Sequence, residues 1–462
     1  PMAAERRLFM KKIKIDMTEG AIAPQILLFF FPILLGTFFQ QLYNTADAII
    51  VGKYVEKVGL AAVGGSTGTI LNLFIGIFIG LSSGFSVIIS QHYGAKNNKL
   101  VSECIHTALT FSLIVGIIVS ITGSIFSAKM LSYMNLPDNI MPMALSYLQI
   151  CFLGLAPNLI YNMGAGLLRA VGDSRTPLIF LIISCIVNIL LDIILIKYMG
   201  MGVTGAAIAT VSSQLISAIL VIFVLSVRKD SLRIKIGTLH INFFELRKMI
   251  SIGMAAGMQS AMYTIANILI QASINTLGTD TMAAFTAYGK IDTLFWMTMQ
   301  SLGISITTFT GQNYGCGKRE RVKKGIVSGS GLAAGATFIV IVILRLFGRN
   351  IYTLFTQDAN VLNIGTAMVN FMSLAFPAYI ITEVFSGALR GIGDSWIPMI
   401  MTASGVCFLR IVWVFTMVPK FPNVYTILWA YPVSWVTTSI LFIIYMFGFS
   451  QMKYWLKQGK VS

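Results

Sequence analysis

The chain has 462 residues, of which 56% are hydrophobic and only 11% are charged. An ordinary soluble domain carries about a quarter charged residues, so this composition excludes a water-soluble protein and favours membrane-spanning helices of about 20 residues each. The formal charge of +16 could indicate a nucleic-acid partner, but the basic residues lie between apolar runs, as in cytoplasmic loops, so no nucleic-acid partner is expected.

Twelve apolar runs follow one another along the chain. The first six lie near residues 22–51, 60–90, 101–127, 140–164, 177–198 and 203–227, and the last six lie near 247–276, 282–311, 325–347, 362–388, 396–418 and 427–449. We therefore predict an all-α membrane protein with twelve transmembrane helices. Pro32 lies inside the first run, where it removes a backbone hydrogen bond, so we expect a kink, either static or acting as a hinge.

Basic residues are distributed unequally between alternate connections. One set, which includes both termini and the polar stretch 228–248, carries 24 lysines and arginines, whereas the other set carries seven. The positive-inside rule then places both termini in the cytoplasm. We expect a multi-pass protein of a prokaryotic plasma membrane, and a monomer.

An internal repeat divides the chain into two halves. Residues 166–177 match residues 387–398 at seven of twelve positions, with an offset of 221, and the same offset aligns 91–94 with 312–315. Six spans per copy is an even number, so the halves are parallel repeats. The predicted domains are a cytoplasmic tail (1–21), an N-lobe (22–227), a cytoplasmic linker (228–246), a C-lobe (247–450) and a second cytoplasmic tail (451–462).

The repeated motif and the linker both predict cytoplasmic connections. In each copy of the repeat, Gly-Asp-Ser followed by proline is typical of a tight turn that leads into a helix. Residues 391–394 read Gly-Ile-Gly-Asp, as in intramembrane aspartyl proteases, but they lie in a loop, which favours a structural turn. Alternating apolar and basic residues at 232–236 predict a linker segment on the cytoplasmic surface.

Cysteine and histidine residues are dispersed along the sequence. The cysteines are Cys104, Cys151, Cys185, Cys316 and Cys407, and the histidines are His92, His106 and His240. No two cysteines form a CxxC pair. We therefore predict no disulfide framework, no zinc or other transition-metal site, and no cofactor.

Polar residues inside the N-lobe spans are the strongest functional signal. Asp47 lies in the first span, Asn188 and Asp192 share one face of the fifth, and Thr210 lies in the sixth. At about 1.5 Å per residue, all four reach the outer half of the lobe. Two acids, an amide and a hydroxyl predict a site for Na⁺ or a proton. The other interpretation is that the acids cap polar helix ends near the outer surface.

The C-lobe spans carry Lys290, Asp292, Glu383 and Arg410. Asp292 and Arg410 are expected near mid-depth, where they could form a structural or a substrate-orienting ion pair. The repeat offset carries Asn188 and Asp192 onto Leu409 and Trp413, which are not cation ligands. We therefore predict a single coupling site, in the N-lobe.

Several motifs together resemble the MATE family of multidrug and toxic compound extrusion transporters, over essentially the whole chain. They are Thr18-Glu-Gly, Pro32, Gln-Leu-Tyr-Asn-Thr-Ala-Asp at 41–47, the repeated tetrapeptides at 91–94 and 312–315, the doubled Gly-Asp-Ser-x-x-Pro loops, and Asn-Ile-Leu-Leu-Asp at 188–192. The resemblance implies two six-helix lobes arranged in a V, alternating access, and export of organic cations against inward Na⁺ or H⁺.

The resemblance also maps family residues onto this chain. The N-lobe cation site falls on Asp47, Asn188, Asp192 and Thr210, and the first-helix proline falls on Pro32. An acidic seventh-helix position of one family branch has no match, because Gln259, Asn267 and Gln271 are polar but uncharged. A C-lobe cation site of that type is therefore not expected.

These observations predict a cation-coupled antiporter for small organic, cationic and amphipathic compounds, and not an enzyme. A flippase for lipids or lipid-linked saccharides shares the architecture but should have a more strongly basic cavity. An intramembrane hydrolase would need Asp47 and Asp192 to share one water. The residues alone do not choose between Na⁺ and H⁺.

Overall fold

The computed structural model describes residues 15–55, 59, 62–134, 136–137 and 139–457. Most of the predicted N-terminal tail and the last five residues lie outside these ranges. The described chain is helical, without a β-strand, and forms two compact units. The first contains Phe31–Gly257, and the second contains Met17–Phe30 together with the chain after Gly257.

The helices of the first half of the chain, in order, are α1 (Ile22–Tyr54), α2 (Ser66–Gly94), α3 (Asn98–Tyr133), α4 (Met141–Leu153), α5 (Leu155–Ala170), α6 (Arg175–Asp192) with a π-helical continuation at Ile193–Tyr198, and α7 (Gly202–Val227). The helices of the second half are α8 (Phe243–Asn275), α9 (Thr279–Gly315), α10 (Arg319–Tyr352), α11 (Ala359–Ala375), α12 (Ile380–Gly391), α13 (Trp396–Thr402) with a π-helical continuation at Ala403–Phe408, α14 (Leu409–Met417), α15 (Val424–Gly448) and α16 (Gln451–Lys457).

These helices supply the twelve predicted crossings. Within the described ranges, nine helical segments are long and apolar enough to cross a membrane, and α4 with α5, bent by 43°, makes a tenth. The remaining two are α8 and α9, with 33 and 37 residues. Polar side chains such as Lys290 and Asp292 make α9 less apolar, but at about 1.5 Å per residue both helices exceed the hydrocarbon thickness of about 30 Å.

The two halves repeat the same local structure at an offset of 221. Gly172 and Gly393 both adopt positive φ, +88° and +95°, which is the conformation that favours glycine. The N–H groups of Asp173 and Asp394 then donate to Leu168 and Leu389 carbonyls, at 2.9 and 3.0 Å. The Gly-Asp-Ser loops are therefore tight turns, as the motif predicts.

The aspartates of these turns are buried and hold the turns to neighbouring segments. Asp173 accepts hydrogen bonds from the backbone N–H of Thr176 at 3.1 Å and from Arg228 Nη1 at 3.3 Å. Asp394 accepts one from the Tyr445 hydroxyl at 2.6 Å. Both aspartates therefore act structurally, through different partners.

The linker is part of the first unit and packs on its helices. Leu232 and Ile234 are buried in its core, whereas Arg233 and Lys235 are exposed. The alternation in the sequence thus marks a segment with one side packed on protein. Helix α8 begins at Phe243, so the last four residues of the predicted linker are helical.

The beginning of α8 belongs to the first unit because it packs closely on α2. Gly80 and Gly84 of α2 face Gly253 and Gly257 of α8, and a Cβ atom at Gly80, Gly84 or Gly253 would overlap the opposing backbone. Both pairs are Gly-x-x-x-Gly motifs, which allow two helices in a membrane to approach at backbone contact.

The segment that leads into α1 belongs to the second unit. Met17 N–H donates to Gln312 Oε1 at 3.3 Å, and Asn313 Nδ2 donates to the Met17 carbonyl at 2.9 Å. Arg321 Nη1 donates to the Gly20 carbonyl at 2.7 Å. The second copy of the repeated tetrapeptide, 312–315, therefore holds the chain immediately before the first span.

Candidate functional site

Helices α1 and α6 bring Asp47 and Asp192 together. Gly36 of α1 lies against Leu181 of α6, since a Cβ atom at Gly36 would be 3.0 Å from Leu181 Cδ1. Both helices are predicted to start on the cytoplasmic side, so they run parallel. Eleven residues further along each helix (36 + 11 and 181 + 11) are Asp47 and Asp192. Their carboxyl groups are close enough to interact directly.

Helix α7 adds Thr210 to the same region. Ser184 Oγ donates to the Ser213 carbonyl at 3.0 Å, which ties α6 to the antiparallel α7. One turn further along α6 is Asn188, and about one turn back along α7 is Thr210. The packing therefore places Asn188 opposite Thr210, one turn from Asp192.

Most of the side-chain polar atoms of these four residues are buried without a hydrogen bond. Asn188 and Asp192 are fully buried, and Asp47 is 7% exposed. Within the described part of the chain, Asp47 Oδ1, both Asp192 oxygens, both Asn188 amide atoms and Thr210 Oγ1 are buried without a hydrogen bond. Leaving such groups unsatisfied costs about 1–3 kcal/mol each, and more for charged groups. Carboxylate, amide and hydroxyl oxygens are ligands for hard cations, so the set fits a small cation or a proton.

The helix-capping interpretation of the two acids is wrong. Asp47 lies inside α1, seven residues before its end at Tyr54 (54 − 47). Asp192 stands where α6 continues into the π-helix, and its side chain makes no capping hydrogen bond. Their burial is therefore not explained by helix ends.

Three residues near Asp47 were not identified from the sequence. Tyr43, Tyr147 and Cys151 all interact electrostatically with Asp47, and the Tyr43 side chain hydrogen-bonds to Gln214. Tyr43 precedes Asp47 by four residues and so shares its helix face, a spacing that could have identified it. Tyr147 and Cys151 come from α4 and have no such signal.

Pro32 lies within α1, which the structure describes as one helix. The boundary between the two units falls between Phe30 and Phe31, immediately before this proline. The missing N–H of Pro32 thus weakens α1 where the helix passes from one unit to the other.

The C-lobe charges are held separately. Asp292 accepts hydrogen bonds from the Tyr288 hydroxyl at 2.8 Å and Trp296 Nε1 at 2.6 Å. Arg410 lies over the Tyr431 ring at 4.2 Å, and its Nη2 contacts Ser434 Oγ at 3.4 Å. Asp292 and Arg410 interact only at longer range. The direct ion pair that the sequence suggested therefore does not form.

Glu383 and Lys290 do not join these groups. Glu383 pairs with Arg390 at 3.6 Å and accepts a hydrogen bond from the Tyr379 hydroxyl at 3.2 Å. Lys290 is exposed. The predicted C-lobe cluster is therefore three separate polar sites and an exposed lysine. Aromatic side chains satisfy Asp292, whereas Arg410 packs on the Tyr431 ring and its Nε is buried without a hydrogen bond.

Histidines that are far apart in the sequence make two contacts in the structure, and the expectation of no transition-metal site stays a prediction. His106 and His240 stack with ring centroids 5.2 Å apart, and the His92, Cys104 and Glu245 ligand atoms lie within 4.8 Å of one another. His92 of α2 contacts Glu245 of α8, and His106 of α3 contacts His240 of the linker. Sequence distance hid this grouping, since His92 and Glu245 are 153 residues apart.

The internally duplicated fold of twelve spans, with buried acids between helices of the first unit, defines a polytopic α-helical membrane protein. A family model described as MatE matches residues 32–194 and 256–416. The chain therefore belongs to the MatE family of membrane transporters, which confirms the resemblance and the fold class predicted from the sequence.

Curated relatives cover most of the chain. The probable multidrug resistance protein YoeA of Bacillus subtilis is 27% identical, over 81% of this chain and 82% of that protein. A protein of Shewanella oneidensis named FAD transporter is 24% identical, over 78% and 80%. The solved structure of a MOP superfamily transporter from Pyrococcus furiosus matches in fold, with a TM-score of 0.88 at 20% identity over 97% of this chain and 99% of that chain.

Proposed function

We propose that this protein exports organic, cationic and amphipathic compounds in exchange for Na⁺ or H⁺, by alternating access. Family membership and relatives named for multidrug resistance support export of small molecules. The observation that carries the coupling assignment is the group of unsatisfied buried atoms on Asp47, Asn188, Asp192 and Thr210.

The electrostatics of the two acids support cation coupling. Two ionised carboxylates close together in a low-dielectric interior repel each other, and burial removes the water that would stabilise them. A Na⁺ ion or a proton would relieve both effects. Asn188 Oδ1 and Thr210 Oγ1 would complete an oxygen ligand set for Na⁺. Binding and release of this cation would then bias the transporter between two states.

Pro32 is proposed as the hinge of this change. A helix with one missing backbone hydrogen bond bends more easily at that place, and the boundary between the units falls beside it.

The proposal also includes the topology and the role of the C-lobe. Both termini are cytoplasmic, and the protein acts as a monomer in the plasma membrane. The C-lobe groups Asp292, Glu383 and Arg410 help to orient the substrate.

An organic anion is the second candidate substrate. Arg410 is buried, and among the described residues it forms no salt bridge within 4.0 Å. A guanidinium in such a place suits a phosphate or carboxylate group, and one relative is named FAD transporter.

Transport from proteoliposomes tests this function directly. Purified protein is reconstituted, loaded with a fluorescent cationic dye, and given a Na⁺ gradient or a pH gradient separately. We expect dye movement driven by one of the gradients and abolished by the matching ionophore. Parallel liposomes loaded with FAD test the anionic alternative. Movement of neither compound under either gradient, together with scrambling of labelled lipid, would replace the proposal with a flippase.

A further inference from the structure

We propose that His92, Cys104 and Glu245 form a binding site for a divalent transition metal of the Zn²⁺ type, where the start of α8 docks on α2 and α3. One nitrogen, one sulfur and one carboxylate oxygen, all within 4.8 Å of one another, come from three helices. The site lies on the side that the charge pattern predicts to be cytoplasmic, away from the acids of α1 and α6.

The backbone around the site is fixed before any metal binds. Asn242 donates from its backbone N–H to Thr107 Oγ1 at 2.9 Å and from Nδ2 to Glu103 Oε2 at 2.8 Å. Its own Oδ1 accepts the N–H groups of Phe244 and Glu245, at 3.1 and 3.2 Å. Asn242 therefore caps α8 and attaches the cap to α3. This attachment holds Glu245 against the ends of α2 and α3.

The spacing of the ligand atoms is close to that of a zinc site. Bond lengths of about 2.0–2.3 Å in a tetrahedral site put ligand atoms about 3.3–3.8 Å apart. His92 Nε2 and Glu245 Oε2 are 3.0 Å apart, and the largest separation in the group is within 4.8 Å. Side-chain rotations that move the ligand atoms by about 1 Å bring all three to the spacing of a zinc site. The fourth position is left for water, which reaches the site past His92, whose side chain is 19% exposed.

The charges balance when a divalent ion binds. Cys104 binds as a thiolate and releases its proton to solvent, and Glu245 binds as a carboxylate. In the metal-free protein His92 Nε2 donates to Glu245 Oε2 at 3.0 Å, so metal binding replaces this hydrogen bond and leaves the imidazole neutral with its proton on Nδ1. The metal and its ligands then sum to zero (+2 − 1 − 1), which suits a site where Cys104 and Glu245 are buried. Lys248 keeps its contact with the other carboxylate oxygen, Oε1, at 3.0 Å.

The donor atoms determine the class of metal. A thiolate and an imidazole favour borderline and soft cations over Mg²⁺ or Ca²⁺. Cys104 is a free cysteine, and a cytoplasmic thiol stays reduced, so it remains available. A bound metal would join α2, α3 and α8 by coordination bonds and so hold the end of the linker on α2 and α3.

Cobalt substitution tests the site in the full-length protein. Metal-free, reduced protein in detergent micelles is titrated with Co²⁺, and the thiolate-to-cobalt charge-transfer absorption is recorded. We expect saturation at one equivalent and displacement by Zn²⁺, which binds such sites more tightly. Cys104→Ser should abolish the absorption, and His92→Ala should weaken binding by about tenfold or more. Cys316→Ser, which removes a half-buried thiol after α9, should bind as the wild type does.

No charge-transfer absorption in the wild type, or absorption that survives Cys104→Ser, would overturn the proposal. If Cys104→Ser does not fold, alkylation of the wild-type protein gives the answer instead. One equivalent of Zn²⁺ should slow alkylation of Cys104 but not of Cys316, as read from peptide masses. Equal alkylation of Cys104 with and without Zn²⁺ would also overturn the proposal. Because binding is measured without transport, the outcome is independent of the proposed export activity.

Discussion

Ser86 and Thr307 make the same hydrogen bond in the two halves of the molecule. Ser86 Oγ hydrogen-bonds to the Gly166 carbonyl at 3.1 Å, and Thr307 Oγ1 hydrogen-bonds to the Gly387 carbonyl at 3.0 Å. Each acceptor follows its donor by 80 residues, and donors and acceptors are both displaced by 221 (307 − 86 and 387 − 166). The duplication therefore extends to the packing of α2 on α5 and of α9 on α12. Differences between equivalent positions then indicate where the halves have diverged.

The coupling acids provide the first prediction. Asp47→Asn and Asp192→Asn should each reduce gradient-driven dye export to the level of protein-free liposomes, because an amide cannot supply the negative charge that holds Na⁺ or carry the coupling proton. Protein yield and the size-exclusion profile should stay normal. Asp280→Asn, which changes an exposed acid in the first turn of α9, is the matched control. Normal coupled export by both site variants would reject the assignment.

The position of the linker provides the second prediction. A cysteine at Lys235, an exposed linker residue, should resist a membrane-impermeant thiol reagent added to intact cells and react after lysis. A cysteine at the exposed Lys420, in a predicted outer connection, should react in intact cells. Both are made in a Cys316→Ser background, since the other four native cysteines are buried. Labelling of the Lys235 position from outside would reverse the predicted topology.

Asp292 provides the third prediction. Asp292→Ala leaves the Tyr288 hydroxyl and Trp296 Nε1 without their acceptor, and an unsatisfied buried group costs about 1–3 kcal/mol. We expect a lower Tm of the purified protein, with a smaller loss in Asp292→Asn, which keeps one acceptor oxygen. The ion-to-substrate stoichiometry of either variant should equal that of the wild type. A changed stoichiometry would show that the C-lobe also takes part in binding the coupling ion.

A backbone difference between the halves provides the fourth prediction. Lys96 and Gly317 are equivalent (96 + 221) and both adopt positive φ, +56° and +72°. This conformation costs a side-chain-bearing residue about 1–2 kcal/mol. Lys96→Gly should therefore raise the Tm, and Gly317→Ala should lower it, although a Cβ there would meet no atom within 4 Å.

Gly331→Ala is the control for that comparison. Gly331 lies inside α10 with equally open surroundings, and glycine costs about 1 kcal/mol relative to alanine in a helix. The same chemical change should thus stabilise at Gly331 and destabilise at Gly317. A lower Tm for Lys96→Gly would contradict the prediction. It would mean that the lysine side chain stabilises the folded protein by more than its positive φ destabilises it.

Much of the molecule could be predicted from the sequence because one pattern determines each part. Apolar runs and the charge of the connections predict the spans, and helix periodicity predicts that Asn188 and Asp192 share a face. The approach of Asp47 to Asp192 was expected from comparing depths in helices of predicted direction. The C-lobe could not be predicted in this way, because depth alone does not show that Tyr288 and Trp296 on the same helix satisfy Asp292.

Contacts between distant segments were the least predictable. His92 and Glu245 meet only because α8 packs on α2 at glycine contacts, and no local pattern encodes which helices become neighbours. Tyr147 and Cys151 reach Asp47 for the same kind of reason. The sequence predicts which side chains share a helix face, whereas the packing of the helices determines which residues those side chains contact.

The start of each half-repeat is incorporated into the other half's unit, and this has a consequence for biosynthesis. Met17–Phe30 is part of the second unit and is bound by Gln312, Asn313 and Arg321. During synthesis, Met17–Phe30 is therefore made before the residues that bind it, which follow about 300 residues later in the chain. A separately expressed fragment that ends at residue 227 would lack the Gly253 and Gly257 contacts of its own core. A fragment that ends after Gly257, inside α8, would keep those contacts within one polypeptide.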